Sequence, residues 1–252
     1  MSLENITPPS LSEIQYLRSS NSEITYPVLK GMFKTGLMGP GLRNDNDEFL
    51  DITALLLIKT HKDKTILPTL VDIIFFRNRE GLFTHDLIWA FFQARDPNSL
   101  MLIANYLHSD NIIDVKLACK LLDFVPSIDM TIEKDNKKLY MNFIYYLKEN
   151  KPFLYYTGES FQRTSNPMPY ILALDSKYLC RPISVYTGKP LIPYTDKENR
   201  LSDDFNKLSV DKKLILSNYS LRSHYENLYL WDLWINNSIL DQINIAHKGL
   251  IY

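Results

Sequence analysis

The chain has 252 residues, 45% of them hydrophobic and 23% charged, ordinary globular proportions that exclude wholesale disorder. Its net charge of −1 provides no global positive field to displace counterions from duplex phosphates, so nucleic acid is a disfavoured partner. Two sparse cysteines, Cys119 and Cys180, read as reduced thiols of a cytoplasmic protein rather than a disulfide framework, and no apolar run approaches the roughly 18 residues of a membrane span.

From the N-terminus, residues Met1 to Ser12 lack the basic and apolar regions of a secretory signal. Thr7 to Met38 predicts two helices. Ser10 with Glu13 has the spacing of a capping box, followed by Leu11, Ile14 and Leu17 at helical intervals. The second helix is expected over Ile24 to Lys34, with Pro27 in its first turn, where a missing N–H costs little. Gly36 to Gly41 lacks the Gly-Lys-Ser/Thr ending of a phosphate loop and reads as a helix-breaking turn. Asn44 to Glu48 lacks calcium-loop spacing and reads as a solvated turn and cap.

Residues 48–126 carry three buried helical segments, with Ala54, Ala90 and Ala118 in corresponding places 36 and 28 residues apart. Two further helical runs open at Pro68 and Pro97. A period of about 30 to 36 residues with two helices each is the pattern of an α-solenoid, in which stacked helix pairs make one continuous core. The unit Pro97 to Pro126, with Tyr106-Leu107, the turn Ser109-Asp110-Asn111, and Asp114-Val115 before Leu117-Ala118, resembles a HEAT-like repeat. The resemblance spans about Thr65 to Pro126 and departs from the family at the usual inner-helix arginine, where Lys116 and Ile88 stand. It implies an α-solenoid with a partner-binding face. The rival reading of the same residues is an irregular helical bundle.

A helix ends over Phe143 to Leu147, and composition then shifts: 13 of 16 tyrosines lie from Tyr140 onward. Prolines between Pro152 and Pro193 exclude a long helix there. Tyr155-Tyr156-Thr157-Gly158 and Val185-Tyr186-Thr187-Gly188 repeat a phrase suited to tight turns, and Ile183 to Ile192 predicts a β-hairpin or extended loop. Leu221, Tyr225, Leu228, Trp231 and Trp234-Ile235 keep helical spacing. Ser209 and Ser238 are expected to cap the helices beginning at Val210 and Ile239, the last of them ended by Gly249. The expected fold is mainly α: an irregular HEAT-like helical repeat array or helical bundle with a small β-hairpin or loop insertion in the C-terminal half. The expected division is a helical region over 1–150 and a Tyr/Pro-rich segment with C-terminal helices over 151–252. Usage rich in Ile, Asn, Lys and Tyr points to an AT-rich bacterial or viral genome.

No nucleophile elbow, zincin, P-loop, dinucleotide or C-x-x-C motif occurs. None of the five histidines pairs with another at i+3 or i+4, and Cys180 has no histidine near it, so no metal and no cofactor are expected. His85 beside Asp86 reads as a polar residue near a helix start. The leading expectation is a non-enzymatic interaction or scaffold protein with an unidentified protein partner. Its candidate surface is Tyr155, Tyr156, Tyr186, Trp231 and Trp234, aromatic residues of the kind that anchor interfaces. The same spacing of Trp231 and Trp234 also fits core packing. One alternative is an enzyme with Glu159, Arg163, Asp175, Lys177 and Arg181 converging in a cleft of the 151–200 segment. The other is a HEAT-like nucleic-acid-binding protein with a contiguous Lys/Arg face. Oligomeric state is left open by the sequence.

Overall fold

A computed structural model describes residues 25–35, 45–126, 128, 133 and 135–249. The expected capping box of Ser10, the helix through Leu17 and the turn Gly36 to Gly41 lie outside the described residues. Among those described, the chain is mainly α, with twelve α-helices and one two-stranded antiparallel sheet. Two compact units divide it. One comprises Met1–Phe143 with Gly158–Pro167, the other Ile144–Thr157 with Met168–Tyr252.

The first unit holds α1 (Thr25–Thr35), α2 (Asp45–Leu55), α3 (Leu67–Arg79), α4 (His85–Phe92), α5 (Leu100–Ala104), α6 (Ile112–Leu121) and the start of α7 (Asn136–Asn150). α3 shows why these residues are helical. Pro68 occupies its first turn, where no N–H is missed. Leu67, Leu70, Val71 and Ile74 recur at i, i+3, i+4 and i+7 and are all buried. It stops at Gly81, whose φ of 68° lets the Leu82 N–H reach the Arg77 carbonyl and the Gly81 N–H that of Asn78. This closure satisfies two carbonyls that the helix end would leave open. α6 starts where the Asn111 side chain accepts from the Ile113 N–H, a cap of the ordinary kind. Phe33, Leu57, Leu70, Phe75, Phe91 and Val115 form the core.

Polar ties fix the elements at its edge. Arg77, itself buried, donates to Asp51 at 2.8 Å, and Arg79 to Asp114 at 3.0 Å. Tyr26 and Lys30 of α1 both reach Asp63 in the turn before α3. Burial pushes the Asp63 carboxyl up, but bonds from Thr65, Lys30 and Tyr26 outweigh it and hold the group well below the usual carboxylate range.

The second unit begins within α7. Strands β1 (Leu154–Tyr156) and β2 (Tyr170–Leu172) pair with Leu154 opposite Leu172 and Tyr156 opposite Tyr170. The chain between them, Gly158–Pro167, packs with the first unit: Gln162 donates to Asp86, and Asn166 to Asp123. There follow α8 (Leu174–Tyr178), α9 (Asp196–Asn206), α10 (Val210–Glu226), α11 (Leu228–Ile235) and α12 (Ile239–Gly249). Their core is Tyr178, Phe205, Leu216, Trp234, Ile243 and Ala246, with Tyr178 stacked on Phe205 at 4.5 Å. A capping box of Thr195 and Glu198 starts α9. The expected hairpin at Ile183 to Ile192 takes the form of a single antiparallel bridge, Ile183 to Pro190, around Gly188.

The continuous helical spacing from Leu221 to Ile235 is interrupted. At Asn227 the backbone turns extended, with φ −157° and ψ 98°, and its side chain accepts from the Leu230 N–H. An asparagine that bonds its own downstream backbone ends one helix and starts the next. Ser238 caps α12 as expected, accepting from the Asp241 N–H, whereas the Ser209 side chain makes no capping bond.

Candidate functional site

The polar residues singled out in the sequence are dispersed. Glu159 and Arg163 are exposed on the Gly158–Pro167 segment, which belongs to the first unit. Arg181 is held by Glu198 at 2.7 Å, and Asp175 is half-buried in the first turn of α8. Lys177 is 1% exposed. Its Nζ donates to the Asn150 and Asn218 Oδ1 atoms, each at 2.6 Å. Burial pushes this amine down to about 8, against the pull of Glu149 and of the Cys180 sulfur, because two neutral amide oxygens replace only part of its hydration.

Cys180 follows with φ 53°. In that left-handed position its N–H reaches the Lys177 carbonyl, and the Arg181 N–H that of Ser176, closing α8. Burial raises the Cys180 thiol to about 11, although Ser220 and the Lys177 and Arg181 charges pull it down. It is therefore a neutral thiol near pH 7 and a poor nucleophile. Ser220 donates to the Tyr178 carbonyl and accepts from Trp231 Nε1 at 2.7 Å. This network joins α7, α8, α10 and α11 by closed hydrogen bonds.

The aromatic candidates divide by exposure. Trp234 is 4% exposed, and its Nε1 donates to the Gln242 carbonyl. Tyr156 is buried and sits edge-on to Tyr170. Tyr155 is half-buried beside Gly188, and Trp231 half-buried against the second unit's core. Tyr186 alone of the five is largely exposed.

Next to Trp231 and Trp234, the opposite side of α11 is open. Leu228, Tyr229, Leu230 and Leu233 are each at least 51% exposed, and so are Tyr225 just before them and Leu240 on α12. The signal is present in the sequence: seven of the eight residues of α11 are apolar or aromatic. A helix hydrophobic all round has more apolar surface than one packed face can bury. From Ser223 to His247 the chain carries Glu226, Asp232 and Asp241 and no Lys or Arg. Of these, Asp232 lies on the exposed side of α11 itself, Asp241 accepts from Ser238 at the start of α12, and Glu226 is paired with Arg222 at 2.8 Å. His224, edge-on to Trp231 at 4.9 Å, has its basicity lowered by burial and by the Arg181 charge, so near pH 7 it adds little positive charge to that side.

Among the described residues no group of three or more His, Cys, Asp and Glu side chains is placed to hold a metal ion, and no helix is long and apolar enough to cross a membrane. Comparison with protein-family models, with curated proteins and with solved structures finds no match.

Proposed function

We propose that the chain is a protein-binding protein whose exposed α11 face seats a partner with an apolar anchor flanked by lysine or arginine. The observation that carries this reading is the concentration of large exposed apolar side chains, Tyr225, Leu228, Tyr229, Leu230 and Leu233, within nine residues of chain. Isolated exposed leucines are ordinary on a protein surface, but a cluster of this kind rimmed by polar residues marks an interaction site. Leu and Tyr in such a cluster supply area, and Tyr adds a hydroxyl that tolerates a wet rim.

The rim selects among partners. Asp232 and Asp241, which no lysine or arginine pairs among the described residues, would meet their counterparts in a symmetric dimer built on this face. They would also repel an anionic lipid surface. Basic residues around an apolar anchor complement them. The test is a photo-crosslinking side chain placed at Tyr229 in the full chain, in cells, with Lys213 as the control position. The expected result is one discrete protein adduct whose linked peptide is apolar with flanking Lys or Arg, and whose yield falls several-fold with Asp232→Lys. Adducts to a second copy, to lipid, or at no higher yield than from position 213 overturn the reading.

A further inference from the structure

The first unit contains a cleft of about 330 Å³ to which no role has been given above. Its volume falls within the range of small-molecule pockets, at the lower end, where ligands of a single ring with one or two substituents fit. We infer that it binds a small aromatic anion, a planar ring bearing one phosphate or carboxylate group.

One wall is apolar, from Ile88 of α4 and Leu117 of α6, both buried. The other is aromatic. Phe161 lies over His85 with ring centroids 5.5 Å apart and planes 23° from parallel. Phe161 reaches this place because Gly158–Pro167 leaves the strand pair and is tied to the first unit, Gln162 to Asp86 and Asn166 to Asp123. A lining that combines apolar and aromatic side chains suits a flat ring, since stacking and apolar contact both reward planarity.

The charge at the mouth has one sign. Lys116 and Lys120 stand four residues apart on α6, so they share a face of the helix. Both line the cleft, and among the described residues no carboxylate does. Neither lysine forms an ion pair among the described residues. The Lys120 Nζ instead lies 4.6 Å from the Phe161 ring centroid. Of the acids on the surrounding elements, Asp114 is paired with Arg79, and Asp86 and Asp123 accept from the neutral amides of Gln162 and Asn166. Like charges at i and i+4 destabilise a helix, and placing both beside an apolar cleft adds to that cost. An anion bridging the two ammonium groups removes the repulsion and gains charge-assisted hydrogen bonds.

The test is calorimetric titration of the full chain with four matched probes: phenyl phosphate, benzoate, inorganic phosphate and phenol. Binding of phenyl phosphate or benzoate is expected, and the tighter of the two identifies the anionic group. Inorganic phosphate and phenol are each expected to bind at least about tenfold more weakly, because one lacks the ring and the other the charge. Lys116→Met and Lys120→Met should each weaken the preferred anion about tenfold, and Lys137→Met, exposed elsewhere in the same unit, should leave it unchanged. Phe161→Ala should weaken every ring-bearing probe. Three results overturn the proposal: no saturable binding of either aromatic anion at millimolar concentration, phenol binding as tightly as the anions, or a Lys116→Met/Lys120→Met double variant that keeps its thermal midpoint and its affinity.

Discussion

Lys177 carries an electrostatic cost in the second unit that its partners offset only in part. Its amine is taken out of water and given two neutral acceptors, so its protonated form is disfavoured in the folded chain relative to the unfolded one. The folded value is lowered, to about 8 from 10.5. Below pH 8 both states are charged and the full cost is present. Between pH 8 and 10.5 the folded amine is neutral while the unfolded one still binds a proton, so stability rises with pH over that window. The shift corresponds to about 3 kcal/mol. We predict that the stability of the native chain relative to Lys177→Met increases by up to that amount between pH 7 and 10.5, measured as denaturant midpoints of the two proteins. Parallel pH profiles would show that the amine is not desolvated. Sequence alone marks Lys177 as a polar residue among prolines and tyrosines. It does not reveal the burial, because the two asparagines that receive the amine lie 27 residues before it and 41 after it.

At the scale of elements, local chemistry in the sequence was readable and long-range pairing was not. The α3 start at Pro68 and the Ser238 cap follow from neighbouring residues. So does the Asn227 break, although the regular spacing of Leu221, Tyr225, Leu228 and Trp231 hides it; an asparagine directly before Leu-Tyr-Leu-Trp is its trace. The two Tyr-Thr-Gly phrases suggested two separate turns. In the structure they meet: the Tyr156 N–H donates to the Val185 carbonyl, and the Tyr155 ring lies beside Gly188. Gly158 and Gly188 both have positive φ, 85° and 68°. A Cβ at Gly158 would meet nothing within 4 Å, whereas at Gly188 it would lie 3.1 Å from Tyr155 Cγ. Gly158→Ala therefore bears only the backbone cost of about 1–2 kcal/mol. Gly188→Ala bears the same cost and in addition must displace a ring, for a further ~1 kcal/mol or more. Equal losses of thermal stability in the two variants would show that Tyr155 does not pack on that turn.

At the scale of the whole molecule, the mainly α character follows from helical spacing and few glycines. The excursion of Gly158–Pro167 into the first unit, and with it the Phe161 wall of the cleft, leaves no linear signature. Both units hold tyrosines that resist ionisation: in the first, burial and the bond to Asp72 push Tyr106 up, and among the described residues the second holds more such groups. Tyr146, Tyr178 and Tyr194 are each pushed up to about 12, chiefly by burial, and Cys180 to about 11 for the same reason. All four lie in the second unit. Groups whose folded values are raised give stability that is complete below their unfolded values and is lost as pH rises through the folded ones. For the tyrosines that window runs from about 10 to 12, and for Cys180 from about 9 to 11. Lys177 acts in the opposite sense up to 10.5, so the second unit should hold its stability to near pH 10 and lose it steeply above. Two of the three tryptophans, Trp231 and Trp234, report on that unit, and Trp89 on the other. In Trp89→Phe, fluorescence should therefore still show the alkaline transition between pH 10 and 12. In Tyr178→Phe, which cannot ionise at the centre of the core, the loss should be shallower, although the missing bond to Gln242 lowers stability at pH 7 by about 1 kcal/mol. A transition seen by Trp89 but absent from Trp231 and Trp234 would place the alkaline weakness in the first unit, where Tyr106 is raised, and Tyr146, Tyr178 and Tyr194 would then not be its cause.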